Sequence, residues 1–197
     1  MDTTLVTGAT GLVGYHIVQA LLQRGRRVKA FVRSIDKGKA LLPSTCELVQ
    51  GDITDLAAVR RAMEGCSVVY HAAGLSEQWL PDPARFHDVH VRGTQNAIDA
   101  ALRHGIRRFI YTSTIDVFAA ETGQEFDESQ LDTQPRNTYY ERSKQLADQQ
   151  VVAAMQNSLP AIFIHPSAIY GPGPTSSPGL KLILTQLLHN RLVCKLL

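Results

Sequence analysis

The chain has 197 residues, of which 44% are hydrophobic and 19% are charged, a composition typical of a globular domain and unlike that of a disordered chain. Its formal net charge of +2 is too small to indicate nucleic acid or an anionic membrane as a partner. No apolar run reaches the length of a membrane span, and Met1–Thr4 leads almost directly into a strand, so we expect no membrane partner and no signal peptide.

The cysteines Cys46, Cys66 and Cys194 are far apart and lack a CxxC spacing. This spacing favours reduced, mostly buried thiols over a disulfide framework or a zinc site. We therefore expect a cytoplasmic protein that holds no metal.

Strand-like apolar runs alternate with helical patterns along the chain. We predict strands at Thr4–Val6, Val28–Val32, Cys46–Gln50, Val68–His71, Arg108–Thr112 and Ala161–His165. We predict helices at Leu12–Arg24, Asp55–Glu64, Val91–Arg103 and Tyr139–Asn157, the second of them capped by Thr54 or Asp55. This alternation predicts an α/β fold whose doubly wound parallel sheet is covered by helices on both faces.

Glycines recur at the junction of the first strand and the first helix, in the loop Thr7-Gly8-Ala9-Thr10-Gly11-Leu12-Val13-Gly14. Glycines let the backbone turn tightly and approach a pyrophosphate, and the helix N-terminus offers free N–H groups and the positive end of its dipole. Glycines also make ordinary tight turns, but at this junction they indicate a dinucleotide-binding site. The expected contacts come from Thr7, Gly8, Thr10, Gly11, Leu12, Val13 and Gly14.

The spacing Thr-Gly-x-x-Gly-x-x-Gly resembles that of the extended short-chain dehydrogenases/reductases, the NAD-dependent epimerase/dehydratase family. The predicted loop Gly74–Phe86 contains the pattern Leu-x-x-x-Trp-Leu-Pro-Asp-Pro around Trp79. This pattern and the helical sequence Tyr-Glu-Arg-Ser-Lys at 140–144 are most similar to dihydroflavonol-4-reductase-like and hopanoid-associated sugar epimerase-like proteins. Trp79 either lines a substrate pocket or pins its loop to the surface.

This resemblance implies an NAD(P)-binding Rossmann domain over residues 1–170 and the start of a truncated substrate-binding region over residues 171–197. Gly171–Gly179 is rich in Gly, Pro and Ser and is predicted to be a loop that leaves the sheet. Leu180–Leu197 is predicted to form an amphipathic helix and an apolar tail, and its lack of a polar cap leads us to expect that the C-terminal substrate domain is largely absent.

The tip of the second strand indicates which dinucleotide is bound. NAD is usually recognised there by a carboxylate that accepts a hydrogen bond from the ribose 2′-OH. This strand instead ends at Arg33, which, with Lys37 nearby, could pair with a 2′-phosphate. We therefore expect NADP, with NAD as the alternative; the other interpretation is that Arg33 is an ordinary surface residue.

Further cofactor contacts follow from the resemblance. In related proteins the cofactor contacts an acidic residue and its apolar neighbour after the third strand, and small residues after the fourth strand. It also contacts the end of the fifth strand and the loop after the sixth. The matching residues here are Asp52, Ile53, Ala72, Ala73, Gly74, Thr112, Pro166, Ala168 and Ile169. Asp52 could instead cap a helix, and His71 is expected to be a packed strand residue and not a ligand.

Tyr140 and Lys144 are four residues apart on a predicted helix and therefore share a face. A tyrosine has a pKa near 10, and a nearby ammonium together with the positive nicotinamide ring favours its phenolate. Tyr140 could thus exchange a proton while hydride moves to or from the nicotinamide. The resemblance implies that Lys144 also binds the nicotinamide ribose, and that Thr114, or alternatively Ser113, hydrogen-bonds the reacting oxygen.

Two histidines depart from the pattern of the family. His165 stands where related proteins have arginine in the segment Arg-Pro-x-x-x-Tyr-Gly-Pro-Gly. His90 stands where they usually have an asparagine that supports helix geometry and a water network. This second difference concerns the tuning of proton transfer and not the cofactor site.

These motifs together predict an NADP-preferring oxidoreductase that acts on a hydroxyl or carbonyl centre of a small-molecule substrate, similar to dihydroflavonol or 3β-hydroxysteroid reductases. The alternatives are a nucleotide-sugar epimerase or dehydratase with tightly held NAD, and a chain that binds the cofactor but is inactive. The resemblance also suggests a homodimer through the helices Val91–Arg103 and Tyr139–Asn157.

Overall fold

The computed structural model describes residues 2–119, 123, 125, 127, 131–174 and 185–189. Within these residues the strands are β1 (Thr3–Thr7), β2 (Arg27–Val32), β3 (Glu47–Gln50), β4 (Cys66–His71), β5 (Arg108–Thr112) and β6 (Ala161–Ile164). They form one sheet in the order β3-β2-β1-β4-β5-β6, and every neighbouring pair is parallel. The strand order reverses between β1 and β4, and in such sheets ligands bind at the carboxyl ends of the strands near that point.

The helices follow the strands in alternation. They are α1 (Leu12–Gln23), α2 (Ile35–Leu41), α3 (Leu56–Met63), α4 (Ala84–Phe86), α5 (Gly93–Arg103) and α6 (Tyr139–Gln156). A π-helical segment, His87–Arg92, joins α4 to α5, and a short 3₁₀ turn, Ile115–Val117, follows β5. α1 ends before Gly25, whose φ of +69° is the left-handed conformation that commonly closes a helix.

Side chains of the strands alternate between two apolar layers, because successive residues of a strand point to opposite faces. Val6 and Val28 belong to the layer beneath α1 and α2. Leu5 and Phe109 belong to the larger layer with residues of α3, α5 and α6. Both faces of the central strands are therefore covered, as a doubly wound parallel sheet requires.

All six predicted strands are present, so the α/β, doubly wound fold class is confirmed. β4 begins at Cys66, earlier than predicted, and Asp55, not Thr54, caps α3 by accepting from the Ala57 and Ala58 N–H groups at 2.9 and 3.2 Å. The helix predicted from Val91 is helical already from Ala84, because α4 and the π-helical segment continue directly into it.

α2 was not predicted. It is capped by the Ser34 side chain, which accepts from the Lys37 N–H at 3.2 Å. Of the predicted C-terminal helix, only residues 185–189 lie in the described part, and 185–188 of these are helical; most of the Gly171–Gly179 loop lies outside it.

Cys46 and Cys66 are buried free thiols, as predicted, whereas Cys194 lies outside the described residues. Among the residues that the structure describes, no helix combines the length and the apolar character needed to cross a bilayer. At the edge of the sheet formed by β6, Ile162 and Ile164 are each 47% exposed.

Candidate active site

The predicted site residues lie on loops and helix starts that follow β1, β2, β3, β4, β5 and β6. The carboxyl ends of parallel strands meet at one edge of the sheet, and helix N-termini point to the same edge. The fold therefore brings the glycine loop, the end of β5 and the first turn of α6 to the edge where doubly wound proteins bind ligands.

The glycine loop is closely packed at two of its three glycines. Gly8 has a φ of +68°, and a Cβ on it would collide with the Ala72 carbonyl oxygen. A Cβ on Gly14 would collide with the Gly8 carbonyl oxygen. Gly11 is different, because it is exposed and an added Cβ would come no nearer than 3.3 Å to the Gly8 oxygen.

Gly11 is the N-cap residue of α1, and no side chain caps the helix there. The N–H groups of the first turn, among them those of Leu12 and Val13, therefore face the space in front of the helix. The loop thus fits a pyrophosphate, which would be held by backbone N–H groups and by the helix dipole.

Thr7 joins the glycine loop to the neighbouring strand β4. Its hydroxyl oxygen accepts from the Ala73 N–H at 3.1 Å and lies 2.9 Å from His71 Nδ1. His71 Nε2 lies 3.2 Å from Thr94 Oγ1. His71 is buried and hydrogen-bonded on both ring nitrogens, which agrees with the expectation of a packed strand residue, and Thr7 holds the Ala72–Gly74 segment beside the glycine loop.

The tip of β2 presents cationic side chains to solvent, since Arg33 and Lys37 are both exposed. Asp52, after β3, accepts from the N–H and the hydroxyl of Thr54 at 2.9 and 2.8 Å. Burial alone would raise the pKa of Asp52, but these hydrogen bonds and the positive charges of Arg33 and Arg85 hold it below its usual value. The alternative of Asp52 as a helix cap is not realised, because Asp55 caps α3.

Tyr140 lies in the first turn of α6, which begins with a capping box. Thr138 Oγ1 accepts from the Glu141 N–H at 3.1 Å, and the Thr138 N–H donates to Glu141 Oε2 at 3.0 Å. The pattern Thr-x-x-Glu is a sequence signal for such a helix start, and it would have located this turn. Tyr139, the preceding residue, is 61% exposed and takes no part in the site.

Burial raises the pKa of Tyr140, and the nearby Thr114 side chain acts in the opposite direction. Thr114 Oγ1 donates its proton to Asp116 Oδ2 at 2.9 Å. Ser113, the alternative to Thr114, donates to the buried carboxylate of Asp148 at 2.6 Å. The geometry therefore favours Thr114 as the hydroxyl next to Tyr140.

Lys144 is buried one turn after Tyr140. Its Nζ donates to the Thr112 carbonyl oxygen at 2.9 Å and to the Tyr111 hydroxyl at 3.2 Å. Burial lowers the pKa of Lys144 to about 8, although the negative charge of Asp148 opposes this effect. A lysine with a pKa this close to neutrality exchanges protons readily.

Sequence reasoning missed the polar groups beneath Lys144. The Tyr111 hydroxyl, which accepts from Lys144 Nζ, lies close to the Thr94 and Asp148 side chains, and burial raises its pKa well above the usual value. Asp148 Oδ2 also lies 3.0 Å from Nε2 of His165, one of the two residues that depart from the family pattern. Asp148 lies four residues after Lys144 on the same helix, and this spacing was the available signal.

The loop after β6 lies against the start of α1. His16 Nε2 lies 2.7 Å from the Pro172 carbonyl oxygen, and Ile169 lines a shallow groove together with Leu12 and Val13. The Pro166 carbonyl accepts from the Ile115 N–H at 3.2 Å, while Ala168 is exposed. The structure thus brings Ile169 near the glycine loop.

Trp79 was expected either to line a pocket or to pin its loop. It is 74% exposed, so among the described residues it does not pack its loop against the surface, and its place in a substrate pocket stays a prediction. Ile53 is buried against Gly93, where an added Cβ would lie 2.9 Å from Ile53 Cγ2, so Ile53 contributes to packing as well as to this edge of the sheet.

The chain was compared with protein families and with known proteins. The model of the NAD dependent epimerase/dehydratase family matches residues 4–195. The chain is 32% identical over 173 residues to a dihydroflavonol-4-reductase-like protein of Synechocystis, with 87% of this chain and 50% of the relative covered. It is 36% identical over 187 residues to the 3 beta-hydroxysteroid dehydrogenase/Delta 5→4-isomerase of Mycobacterium tuberculosis, with 88% and 48% covered.

Among solved structures, the chain is similar to a short-chain dehydrogenase/reductase superfamily protein of Agrobacterium tumefaciens with bound NAD. The TM-score is 0.72 at 29% identity, and the match covers 83% of this chain and 48% of that one. The chain spans about half the length of the curated relatives that it matches.

Proposed function

This chain belongs to the NAD dependent epimerase/dehydratase family, and we propose that it binds NADP in preference to NAD and acts as an oxidoreductase on a hydroxyl or carbonyl carbon of a small molecule. The observation that carries the proposal is the placement of Tyr140. Its hydroxyl lies next to the Thr114 side chain, and Lys144 is held one turn away against the end of β5.

The cofactor proposal is supported by the glycine loop. The collisions at Gly8 and Gly14 explain those two glycines by packing, whereas a Cβ on Gly11 would make only one tight contact, 3.3 Å from the Gly8 carbonyl oxygen. An open N-cap in front of a helix of 12 residues is explained by a phosphate that has to approach the backbone there. Thr7, Ala72 and Ala73 would lie along the same dinucleotide.

The preference for NADP is supported by the charge at the tip of β2. A ribose 2′-OH would need a carboxylate acceptor at this position, and the chain has the exposed guanidinium of Arg33 instead. Asp52, the nearest carboxylate after β3, already accepts two hydrogen bonds from Thr54. NAD is the competing cofactor, because the related Agrobacterium protein has NAD bound.

The chemistry proposed for the site is proton transfer by Tyr140. The bound cofactor would supply or take up hydride. Because burial raises the pKa of Tyr140, its hydroxyl stays protonated at neutral pH and is suited to donate a proton to a carbonyl oxygen during reduction. Thr114 would orient that oxygen, and Lys144 would contact the nicotinamide ribose.

Calorimetric titration with NADPH and NADH tests the cofactor proposal. We expect NADPH to bind at least roughly tenfold more tightly than NADH, a typical effect of a charge-assisted pair, and Arg33→Ala to remove the difference. The matched control is Arg26→Ala, an exposed arginine at the opposite end of β2. Binding of neither dinucleotide, or equal preference in the wild type and in Arg33→Ala, would contradict the proposal.

Turnover tests the assignment of Tyr140. With NADPH and a panel of 3-ketosteroids and dihydroflavonols, Tyr140→Phe should lower kcat by roughly a hundredfold or more while the affinity for NADPH stays within about twofold. If instead the chain exchanges the configuration of a nucleotide sugar with bound NAD, the epimerase alternative is correct. Cofactor binding without turnover on the whole panel would identify a chain that binds the dinucleotide but is inactive.

A further inference from the structure

His90 lies in the π-helical segment and is buried between two parts of the candidate site. Its Nε2 accepts from the Leu75 N–H, in the loop after β4, at 2.8 Å. Its Nδ1 lies 2.8 Å from Ser143 Oγ, in the first turns of α6. One side chain therefore connects the Ala72–Leu75 segment to the helix that carries Tyr140.

The hydrogen bonds assign the protons of the His90 ring. Ser143 Oγ donates its single proton to the Tyr140 carbonyl oxygen at 2.8 Å, so it accepts from His90 Nδ1–H. The Leu75 N–H can only donate, so Nε2 carries a lone pair. His90 is thus a neutral imidazole of one tautomer, with both ring nitrogens in use.

The His90 ring also packs against Tyr140. The two ring centroids are 5.6 Å apart and their planes are 81° from parallel, and Phe86 meets Tyr140 in a similar edge arrangement at 6.2 Å. On the opposite side, a Cβ on Gly74 would lie 3.4 Å from His90 Nε2. Wide π-helical turns occur often at functional sites, and this one carries His90.

We propose that His90 is a positioning residue that holds the loop after β4 and the first turn of α6 in a fixed relation, so that Tyr140 stands at a fixed place relative to a cofactor on Ala72–Gly74. The proposal rests on the proposed function in so far as Tyr140 is the reacting group. The reach of the imidazole makes the link possible, because an asparagine at this position would reach Ser143 but not Leu75.

Two amide variants of His90 each keep one of its two hydrogen bonds and remove the other. In His90→Asn the side-chain amide stands at the place of Nδ1 and keeps the Ser143 contact, whereas the Leu75 N–H loses its acceptor. In His90→Gln the amide oxygen stands at the place of Nε2 and keeps Leu75, whereas Ser143 loses its donor. The control is His87→Asn, an exposed histidine in the same π-helical segment.

Amide hydrogen exchange of Leu75, followed by NMR, tests the link itself without cofactor or substrate. Exchange should be roughly fivefold to tenfold faster in His90→Asn, because one hydrogen bond is lost, and unchanged in His90→Gln and His87→Asn. Equal exchange in all four proteins would overturn the proposed link. If the His90 variants fail to fold, Ser143→Ala removes the acceptor of Nδ1–H and should loosen Tyr140 in the same way as His90→Gln.

The placement of Tyr140 is tested by measuring its pKa by NMR in protein labelled with ¹³Cζ-tyrosine. The Tyr140→Phe variant identifies which signal belongs to Tyr140. The charged groups that act on its hydroxyl, Asp116, Glu141 and Asp148, are the same in all variants. Both His90 variants should shift the Tyr140 pKa toward the ordinary value as the ring gains access to water, while His87→Asn should not. An unchanged Tyr140 titration in both variants would show that His90 only supports the loop.

Binding of NADPH distinguishes failure of this proposal from failure of the proposed function. If the wild-type chain does not bind NADPH, the proposed function fails, and the Leu75 and Tyr140 measurements still decide whether His90 forms the link. If the wild type binds, His90→Asn should weaken NADPH binding about threefold to tenfold, because the Ala72–Gly74 segment loses its tie through Leu75.

Discussion

At the scale of single residues, two buried histidines make the stability of the fold sensitive to acid. Burial lowers the pKa of His71 and of His90 to about 3, and the positive charge of Lys144 acts in the same direction on both. Above pH 6.5 each histidine is neutral in the folded and in the unfolded chain. Between pH 6.5 and pH 3 mainly the unfolded chain takes up the protons, so stability falls as the pH falls.

We expect the free energy of unfolding to decrease by about 2 kcal/mol for each of these histidines between pH 7 and pH 5. Urea denaturation at a series of pH values measures this decrease. His71→Gln and His90→Gln should each remove about half of the pH dependence, even though both lower the stability at pH 7. The carboxylates with lowered pKa values titrate below this window, so a flat profile between pH 7 and pH 5 would refute the expectation.

At the scale of elements, the glycines of the glycine loop serve different purposes: Gly14 is required for packing of the loop, whereas Gly11 is proposed to be required for cofactor binding. Gly14→Ala should cost about 2 to 3 kcal/mol of stability, because its Cβ would collide with the Gly8 carbonyl oxygen and the loop has to move. Gly11→Ala should change the free energy of unfolding by less than about 1 kcal/mol, since its φ of −89° suits alanine and its Cβ, 3.3 Å from the Gly8 carbonyl oxygen, needs only a small shift of the loop.

NADPH binding should respond to Gly11→Ala in spite of that small effect on stability, because the methyl group fills the space in front of α1. Thermal denaturation with and without NADPH measures both quantities in one experiment. A Gly11→Ala protein that is stabilised by NADPH as strongly as the wild type would argue against a pyrophosphate at this helix start.

The elements that could be predicted from the sequence are those with a strong local signal. Apolar alternation located the strands, and the glycines at 8, 11 and 14 located the start of α1. α2 was missed because Gly38 and charged residues interrupt its short apolar pattern, which leaves the Ser34 cap as its main signal. The π-helical segment was missed because apolar periodicity does not distinguish a widened turn from an α-helix.

Within the candidate site, residue types and order were predictable, but their partners were not. The sequence places Tyr140 and Lys144 on one helix face, and the structure agrees. That Lys144 would donate to Thr112 and Tyr111, or that His90 would join Leu75 to Ser143, depends on contacts between residues distant in the chain. Such pairings follow from tertiary packing and have no local signature.

At the scale of the whole molecule, the sheet has one edge that the described residues leave partly open. Ile162 and Ile164 of β6 are each 47% exposed, whereas Ile110, the β5 partner of Ile162, is buried. Exposed apolar side chains on an edge strand bind hydrophobic dyes and promote association. The expected homodimer through α5 and α6 involves other surfaces and stays a prediction.

We expect the double variant Ile162→Thr/Ile164→Thr to reduce the fluorescence of bound anilinonaphthalene sulfonate by about half. Its free energy of unfolding should change by less than about 1 kcal/mol, because threonine suits a strand and the side chains it replaces are already half-exposed. Ile110→Thr, the control, should cost about 2 kcal/mol, because it buries a hydroxyl and loses apolar contact. Equal destabilisation by both changes would contradict the exposure of β6.

The hydrogen-bonded series Thr7, His71 and Thr94, with the Tyr111 hydroxyl close to its end, also bears on how the strands find their alignment during folding. Both faces of β4 are covered by apolar layers, so hydrophobic burial alone discriminates weakly against a pairing displaced by one residue. Such a displacement would turn His71 to the opposite face and leave buried polar groups without partners. Hydrogen bonds inside an apolar sheet thus raise the free energy of chains whose strands pair in a shifted register. If hydrocarbon side chains replaced this series, we expect the chain to remain compact but to pair β4 less uniquely with its neighbours.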